Sequence, residues 1–110
     1  MIEITSCALA LLVAGASVNT AANNGTTALI LSCDNGHEQC ALALLEAGAA
    51  VDAKNNGQVT ALNAACYGKH EACALLLLQH GADPDMEDQF GDTPRSLARD
   101  NNLTQVLAAI

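Results

Sequence analysis

Aromatic side chains are almost missing from this chain: Tyr67 and Phe90 stand alone and there is no tryptophan. With 51% of its 110 residues apolar, the interior must be filled by Ala, Leu, Val and Cys, small side chains that let helices pack closely. Cations are also scarce, 4 Lys and Arg against 12 Asp and Glu, for a formal net charge of −8. Phosphate backbones and anionic lipid both demand Lys or Arg clusters. The balance therefore argues against nucleic acid and membrane surfaces and favours a protein partner with a basic surface, although acidity also serves solubility. No uninterrupted apolar run reaches the roughly 18 residues of a membrane span. The Met1 segment has neither a basic n-region nor a cleavage-type small-residue site, so export is not expected. The five cysteines form no compact disulfide framework and several fall within helical patterns. An intracellular, reducing location, cytoplasmic or nuclear, is expected.

What the chain does have is a period. Gly15, Gly48 and Gly81 follow leucine-rich runs, Thr27, Thr60 and Thr93 open small apolar runs, and Cys7, Cys40 and Cys73 share one position, each set spaced by 33 residues. Such self-similarity marks stacked repeats, each burying its apolar face against its neighbours. In the unit from Asn24 to Asp52, Thr27 is placed as the N-cap of a short helix carrying Ala28, Leu29, Leu31 and Ser32 toward a packed face. Gly36 ends that helix through a left-handed backbone. A second helix starts near His37, sets Cys40, Ala41, Leu44 and Leu45 on one face, and stops at Gly48. From Ala49 to Gly57 the turn residues Asp52 and Asn55-Asn56-Gly57 predict an extended finger between repeats.

The strings TALILSCDNGHEQCALALLEAGAAVD and TALNAACYGKHEACALLLLQHGADPD resemble the ankyrin pattern TPLHxAAxxGHxxxVxxLLxxGAxxN. A further start, DQFGDTPRSLARDNNLTQVLAAI, carries Asp88, Gly91, Thr93 and Pro94 at finger and first-helix positions, and CALALLVAGASVN is the back half of a unit. The resemblance covers essentially the whole chain, as one domain over 1–110: a half repeat (1–21), two repeats (22–54 and 55–87) and a capping repeat (88–110). It implies an all-α ankyrin-repeat solenoid of stacked helix-turn-helix pairs with projecting β-hairpin-like fingers. It also implies a non-catalytic protein-protein interaction module. In proteins similar to this one, partners bind fingertips and the exposed side of the first helices. Carried over residue by residue, that nominates Asn23, Asn24, Thr26, Asp34 and Asn35, then Asn56, Gln58, Val59, Tyr67 and Lys69, then Gln89, Phe90, Asp92 and Asp100. Tyr67 and Phe90 lead this set, because exposed aromatics offer large contact area at low entropy cost. A regulatory inhibitor of an enzyme such as a kinase, and a fragment of a longer ankyrin scaffold, are the alternative readings.

The departures from the pattern carry expectations of their own. The first-helix histidine is replaced by Ile30, Asn63 and Ser96, which puts its usual bonds between neighbouring fingers in doubt. Gly57 and Gly68 each sit one residue early relative to Gly25 and Gly36, predicting an altered finger and inter-helix turn. Arg95, Arg99 and the run Asp100-Asn101-Asn102 give the last unit the polar outer face of a C-terminal cap. At the other end, the predicted helix from Thr5 to Val13 has no preceding helix to cover its apolar flank. Either the chain is a piece of a longer array, or the bare end of the uncapped half repeat is covered by another copy of itself or by a partner. Asn19 resembles finger asparagines that are hydroxylated in some ankyrin proteins, but its counterparts Asp52 and Asp85 favour a plain turn residue.

Chemistry is sparse. Cys33 and Cys40, like Cys66 and Cys73, are seven apart with His37 or His70 between them, but a metal site needs ligands converging to about 2.0–2.3 Å. Residues 33 apart in a stack lie one repeat apart. The thiols read as core filler, His37 and His70 as second-helix starts, and His80 as an exposed helix end. No P-loop, GxGxxG, HExxH or calcium-loop pattern occurs. No catalytic residue, metal or cofactor is expected, and the chain is read as not an enzyme. Asp83, Asp85, Glu87, Asp88 and Asp92 cluster around the last finger, as a solvated edge or a patch for a basic partner. Leu9, Leu42 and Leu75 recur on the flank of the second-helix apolar stripe, as either an exposed ladder or inter-repeat core.

Overall fold

The structure, a computed structural model, describes Val18, Asn19 and residues 21–110. The helix expected from Thr5 to Val13, its bare flank, and Cys7, Leu9 and Gly15 lie outside the described residues. The described residues form six helices in pairs: α1 (Ala28–Asp34) with α2 (Glu38–Glu46), α3 (Ala61–Tyr67) with α4 (Glu71–Gln79), and α5 (Pro94–Asp100) with α6 (Thr104–Ala109). Each pair opens in the same way. The hydroxyls of Thr27, Thr60 and Thr93 accept from the backbone N–H of Ile30, Asn63 and Ser96 at 3.2, 3.2 and 3.1 Å. Each satisfies one of the amides that a helix start leaves unpaired. At Thr93 the box is reciprocal, since Ser96 Oγ accepts from the Thr93 N–H at 3.0 Å.

Two rows of helices result. The first helices α1, α3 and α5 pack side by side, the second helices α2, α4 and α6 form a parallel row, and the members of each pair pack on each other. Small side chains make this stacking possible: Cys33, Cys40, Ala41, Ala65, Cys66, Cys73, Ala74 and Ala98 are all buried. Leu29, Leu44, Leu62, Leu77 and Val106 fill the remaining volume. The face of α1 differs from the one expected. Leu29, Ile30, Ser32 and Cys33 are buried, whereas Leu31 is 52% exposed. Leu29, Ile30 and Leu31 are consecutive and fan across about 200° of the helix. One of the three must point away from the stack.

The fingers are three copies of one turn. Ala22, Asn55 and Asp88 donate through N–H to the carbonyls of Thr26, Val59 and Asp92, at 3.0, 3.0 and 2.9 Å. Each encloses a three-residue loop whose last member is left-handed: Gly25 (φ 83), Gln58 (φ 64) and Gly91 (φ 82). Adjacent fingers are joined, Asn56 N–H to the Asn24 carbonyl at 2.8 Å and Gln89 N–H to the Gly57 carbonyl at 3.1 Å. Among the described residues the only β pairing is the isolated bridge Ala21–Thr27.

The altered turns expected from Gly57 and Gly68 are not found. The backbone keeps the period and places Gln58 and Lys69 (φ 62) where Gly25 and Gly36 (φ 73) stand, and Asn102 (φ 58) follows in the last unit. At the ends of α1, α3 and α5 the N–H of His37, His70 and Leu103 reaches back to the carbonyl of Ser32, Ala65 and Ala98, each at 2.8 Å. This is the six-residue closure that requires a left-handed residue just before it. The displaced Gly68 has another use: a Cβ there would lie 2.7 Å from Cδ2 and Nε2 of His70. The imidazole fits between Gly68 and Gly36, and its Nε2 reaches the Asp34 carbonyl of the preceding repeat at 3.1 Å. That carbonyl can only accept, so Nε2 carries the proton.

Further ties run between repeats. Asn101 Nδ2 donates to the Cys66 carbonyl at 3.0 Å, and Glu71 Oε2 accepts from Gln105 N–H at 3.1 Å. The row of Asn19 and Asp52 likewise bridges units: their side-chain oxygens accept from the N–H of Ala50 at 2.7 Å and Asp83 at 3.0 Å. In the third unit Asp85 instead pairs with Arg95, Nε to Oδ1 at 2.8 Å and Nη2 to Oδ2 at 3.1 Å. The Arg95 guanidinium holds the Asp85 carboxyl below its usual range. Leu42 and Leu75 are half-buried, and Leu75 packs against the core, so they form no bare ladder.

Two expected outcomes test this fold. Gln58→Gly and Lys69→Gly each relieve a left-handed side chain, an advantage of about 1–2 kcal/mol less the added flexibility of the unfolded chain. Each should raise the urea midpoint, whereas Gly68→Ala should lower it by crowding His70; the reverse order would mean that the turns differ from those described. Burial also pushes the Cys66 thiol up to about 12, while an unfolded thiol ionises near 8.5. The folded state therefore holds this proton longer. Its contribution is intact below about pH 8.5 and is lost as pH rises toward 12. In alkaline melts a Cys66→Ala protein should lose stability less steeply than the parent.

Candidate functional site

The fingers and the first-helix row enclose one groove of about 810 Å³, a size typical of recognition clefts. Its floor comes from α1 and α3, through Ala28, Ile30, Leu31, Asn63 and Ala64, with Leu97 from α5. Its finger wall comes from Ala22, Asn24, Thr26, Asn55, Val59, Asp88, Phe90 and Asp92, and Asp34 and Tyr67 stand at the far ends of their helices. The groove thus draws on three successive repeats. Among the described residues three large apolar side chains are conspicuously exposed, Leu31 at 52%, Tyr67 at 73% and Phe90 at 78%, and all three line it.

Of the residues nominated from the sequence, the groove brings together Asn24, Thr26, Asp34, Val59, Tyr67, Phe90 and Asp92. Asn23, Asn35, Asn56, Gln58, Lys69, Gln89 and Asp100 do not line it. Several of these have structural tasks. Asn35 Nδ2 donates to the Leu31 carbonyl at 3.0 Å, Asn56 and Gln89 join fingers through their backbones, and Gln58 and Lys69 occupy left-handed turns. Asn23 and Asp100 are exposed. The floor residues Ala28, Ile30, Leu31, Asn63, Ala64 and Leu97 were missed. The signal was present in Leu29-Ile30-Leu31, three consecutive apolar residues that cannot all share one face.

The electrostatics of the groove are one-sided. Asp34, Asp88 and Asp92 line it, and no Lys or Arg does. Asp88 Oδ1 is engaged by the N–H groups of Phe90 at 2.9 Å and Asp92 at 3.0 Å, which fixes the third finger. Asn55 does the same in the second, its Oδ1 accepting from Gly57 and Val59 at 2.8 and 3.1 Å. The acidic cluster is therefore less bare than its sequence suggests: Asp83 Oδ1 caps the Asp85 N–H at 2.9 Å and Asp85 pairs with Arg95.

Asn63 stands where the pattern has a histidine. It is only 2% exposed, and its Nδ2 reaches the Met86 carbonyl of the next finger at 3.4 Å. One inter-finger bond survives the replacement. Its Oδ1 is buried without a partner among the described residues. Ser96 serves the Thr93 cap instead, and Ile30 simply packs.

The thiols lie in the core. Cys33, Cys40, Cys66 and Cys73 are free and buried. The hydrogen bond that Cys33 donates to Cys73, together with burial, pushes the Cys33 thiol up, and the same bond holds the Cys73 thiol below its usual range. Among the described residues no group of three His, Cys, Asp or Glu side chains is arranged to hold a metal ion. Nor is any helix among them long and apolar enough to cross a membrane.

Among curated proteins no match is found. Against models of protein families, ankyrin repeats (3 copies) match over residues 3–88, most of the chain. The turns recurring every 33 residues, the paired helices and this match agree, and the chain belongs to the ankyrin-repeat family, whose members are generally non-catalytic modules of protein-protein interaction.

Proposed function

We propose that this protein is a non-catalytic recognition module that holds a segment of a partner protein in the groove between its fingers and its first-helix row. The observation that carries this reading is the placement of Leu31, Tyr67 and Phe90. They are apolar, largely exposed and contributed by three successive repeats to one groove. Exposed aromatics cost solubility unless a partner covers them, and they anchor interfaces efficiently because few torsions are frozen. The floor is rigid before binding, since every first helix is capped and closed by backbone bonds, so little ordering entropy opposes association. The acidic lining favours a partner with a basic surface. Four free, buried thiols suit a reducing intracellular compartment.

Photo-crosslinking tests this reading. A benzoylphenylalanine placed at Tyr67 or Phe90 should crosslink the partner, and one placed at the exposed Gln39 on α2 should not. Tyr67→Ala should weaken that capture while changing folding stability by no more than about 0.5 kcal/mol, as for other surface sites. Equal crosslinking from Gln39 would contradict the assignment, as would a collapse of folding in Tyr67→Ala.

A further inference from the structure

We infer that Asp88 is a positioning residue of the groove: its carboxylate holds the tip of the third finger so that the Phe90 ring stands in place before the partner arrives, and it acts on the partner only through that ring. This rests on the groove reading above. Asp88 Oδ1 accepts from the Phe90 N–H at 2.9 Å and from the Asp92 N–H at 3.0 Å, one on either side of the left-handed Gly91. The backbone closes the same loop, Asp88 N–H to the Asp92 carbonyl at 2.9 Å and Gly91 N–H to the Asp88 carbonyl at 3.1 Å. Phe90 lines the groove yet is 78% exposed. A ring so bare has little packing of its own to hold it, so its place is set by the backbone that carries it.

The other two fingers show which property of Asp88 matters. At the equivalent place in the second finger the neutral Asn55 accepts from the N–H groups of Gly57 and Val59 at 2.8 and 3.1 Å. The tip therefore requires an acceptor oxygen on a short side chain, not a negative charge. The first finger has Ala22 there and no such clamp. Asn24 Oδ1 accepts from the Thr26 N–H at 3.0 Å, but the Asn24 N–H, counterpart of the Phe90 N–H, meets no acceptor among the described residues. That tip carries no aromatic residue. The third finger also depends on its clamp more than the second does. Among the described residues the second is bonded to a finger on each side, the third only through the Gln89 N–H to the Gly57 carbonyl. Without Asp88 the tip would sample several turns, and binding would bear the entropy of ordering it.

The probe is a short peptide selected from a random phage-displayed library against the full chain, chosen because Phe90→Ala weakens its binding, and measured by fluorescence anisotropy. Asp88→Ala should weaken this peptide about fivefold or more, whereas Asp88→Asn, which supplies the oxygen that Asn55 supplies in the second finger, should restore affinity to within about twofold of the parent. Because Asp88 acts through Phe90, the double variant Asp88→Ala/Phe90→Ala should bind no more weakly than Phe90→Ala alone. Circular dichroism melts fix the temperature at which every variant is folded, and affinities are read there. Amide exchange of the unbound parent gives a reading that needs no variant: the Phe90 N–H should exchange more slowly than the Asn24 N–H. Asp88→Ala at parental affinity, Asp88→Asn as weak as Asp88→Ala, additive losses in the double variant, or equal exchange at residues 24 and 90 would overturn the positioning role and leave the groove reading standing. A library that yields no peptide sensitive to Phe90→Ala or Tyr67→Ala would overturn both; peptides sensitive to Tyr67→Ala alone would overturn only the role given to Asp88.

Discussion

Everything in this structure depends on how closely the helices of neighbouring repeats approach. A helix pair of seven and nine residues, such as α1 with α2, cannot bury an apolar face by itself and is too short to be stable alone in water. It persists because the next pair covers it. The contact positions are held by Ala and Cys, among them Ala41, Ala65, Ala74, Ala98, Cys33 and Cys66, so the gain comes from dense packing of small groups rather than from a few large anchors. The scarcity of aromatics is a requirement of this geometry. It also means that the two aromatic side chains, having no place in such an interior, stand on the surface.

Close stacking in turn fixes the fingers. Once α1, α3 and α5 are aligned, their Thr caps and the turns before them fall into register, and Asn24 meets Asn56 while Gly57 meets Gln89. The left-handed positions at 25, 58 and 91 and at 36, 69 and 102 belong to the stack rather than to any one residue. That is why Gln58 and Lys69 occupy them despite their side chains. Reading glycine as the mark of these turns located those at Gly25, Gly36 and Gly91 and misplaced the two in the unit between, at Gly57 and Gly68. There Gly68 answers to a different need, the room taken by the His70 ring. Such a reason depends on a contact across repeats, and no local signal in the chain announces it.

The period, the helix starts at Thr27, Thr60 and Thr93 and the burial of Cys33, Cys40, Cys66 and Cys73 were legible because each follows from spacing or capping chemistry. The site was legible only in part. Fingertips and helix ends at Asn24, Asp34, Tyr67 and Phe90 follow from the repeat pattern. The floor depends on which of Leu29, Ile30 and Leu31 faces outward, a choice made by packing against α3 rather than by the period of α1. The acidic lining likewise differs from the acidic sequence cluster: Asp85 turns to Arg95, while Asp34, far from the cluster in sequence, joins Asp92 at the groove.

The central claim is that one continuous surface, built from the finger side of three repeats, receives the partner. Hydrogen-deuterium exchange of the free and the bound protein tests it most directly, because it reports every backbone amide without altering a side chain. The account predicts added protection in residues 22–34, 55–67 and 88–92, with α2 and α4 unchanged. Protection confined to α2 and α4 would contradict it and place recognition on the opposite side of the stack.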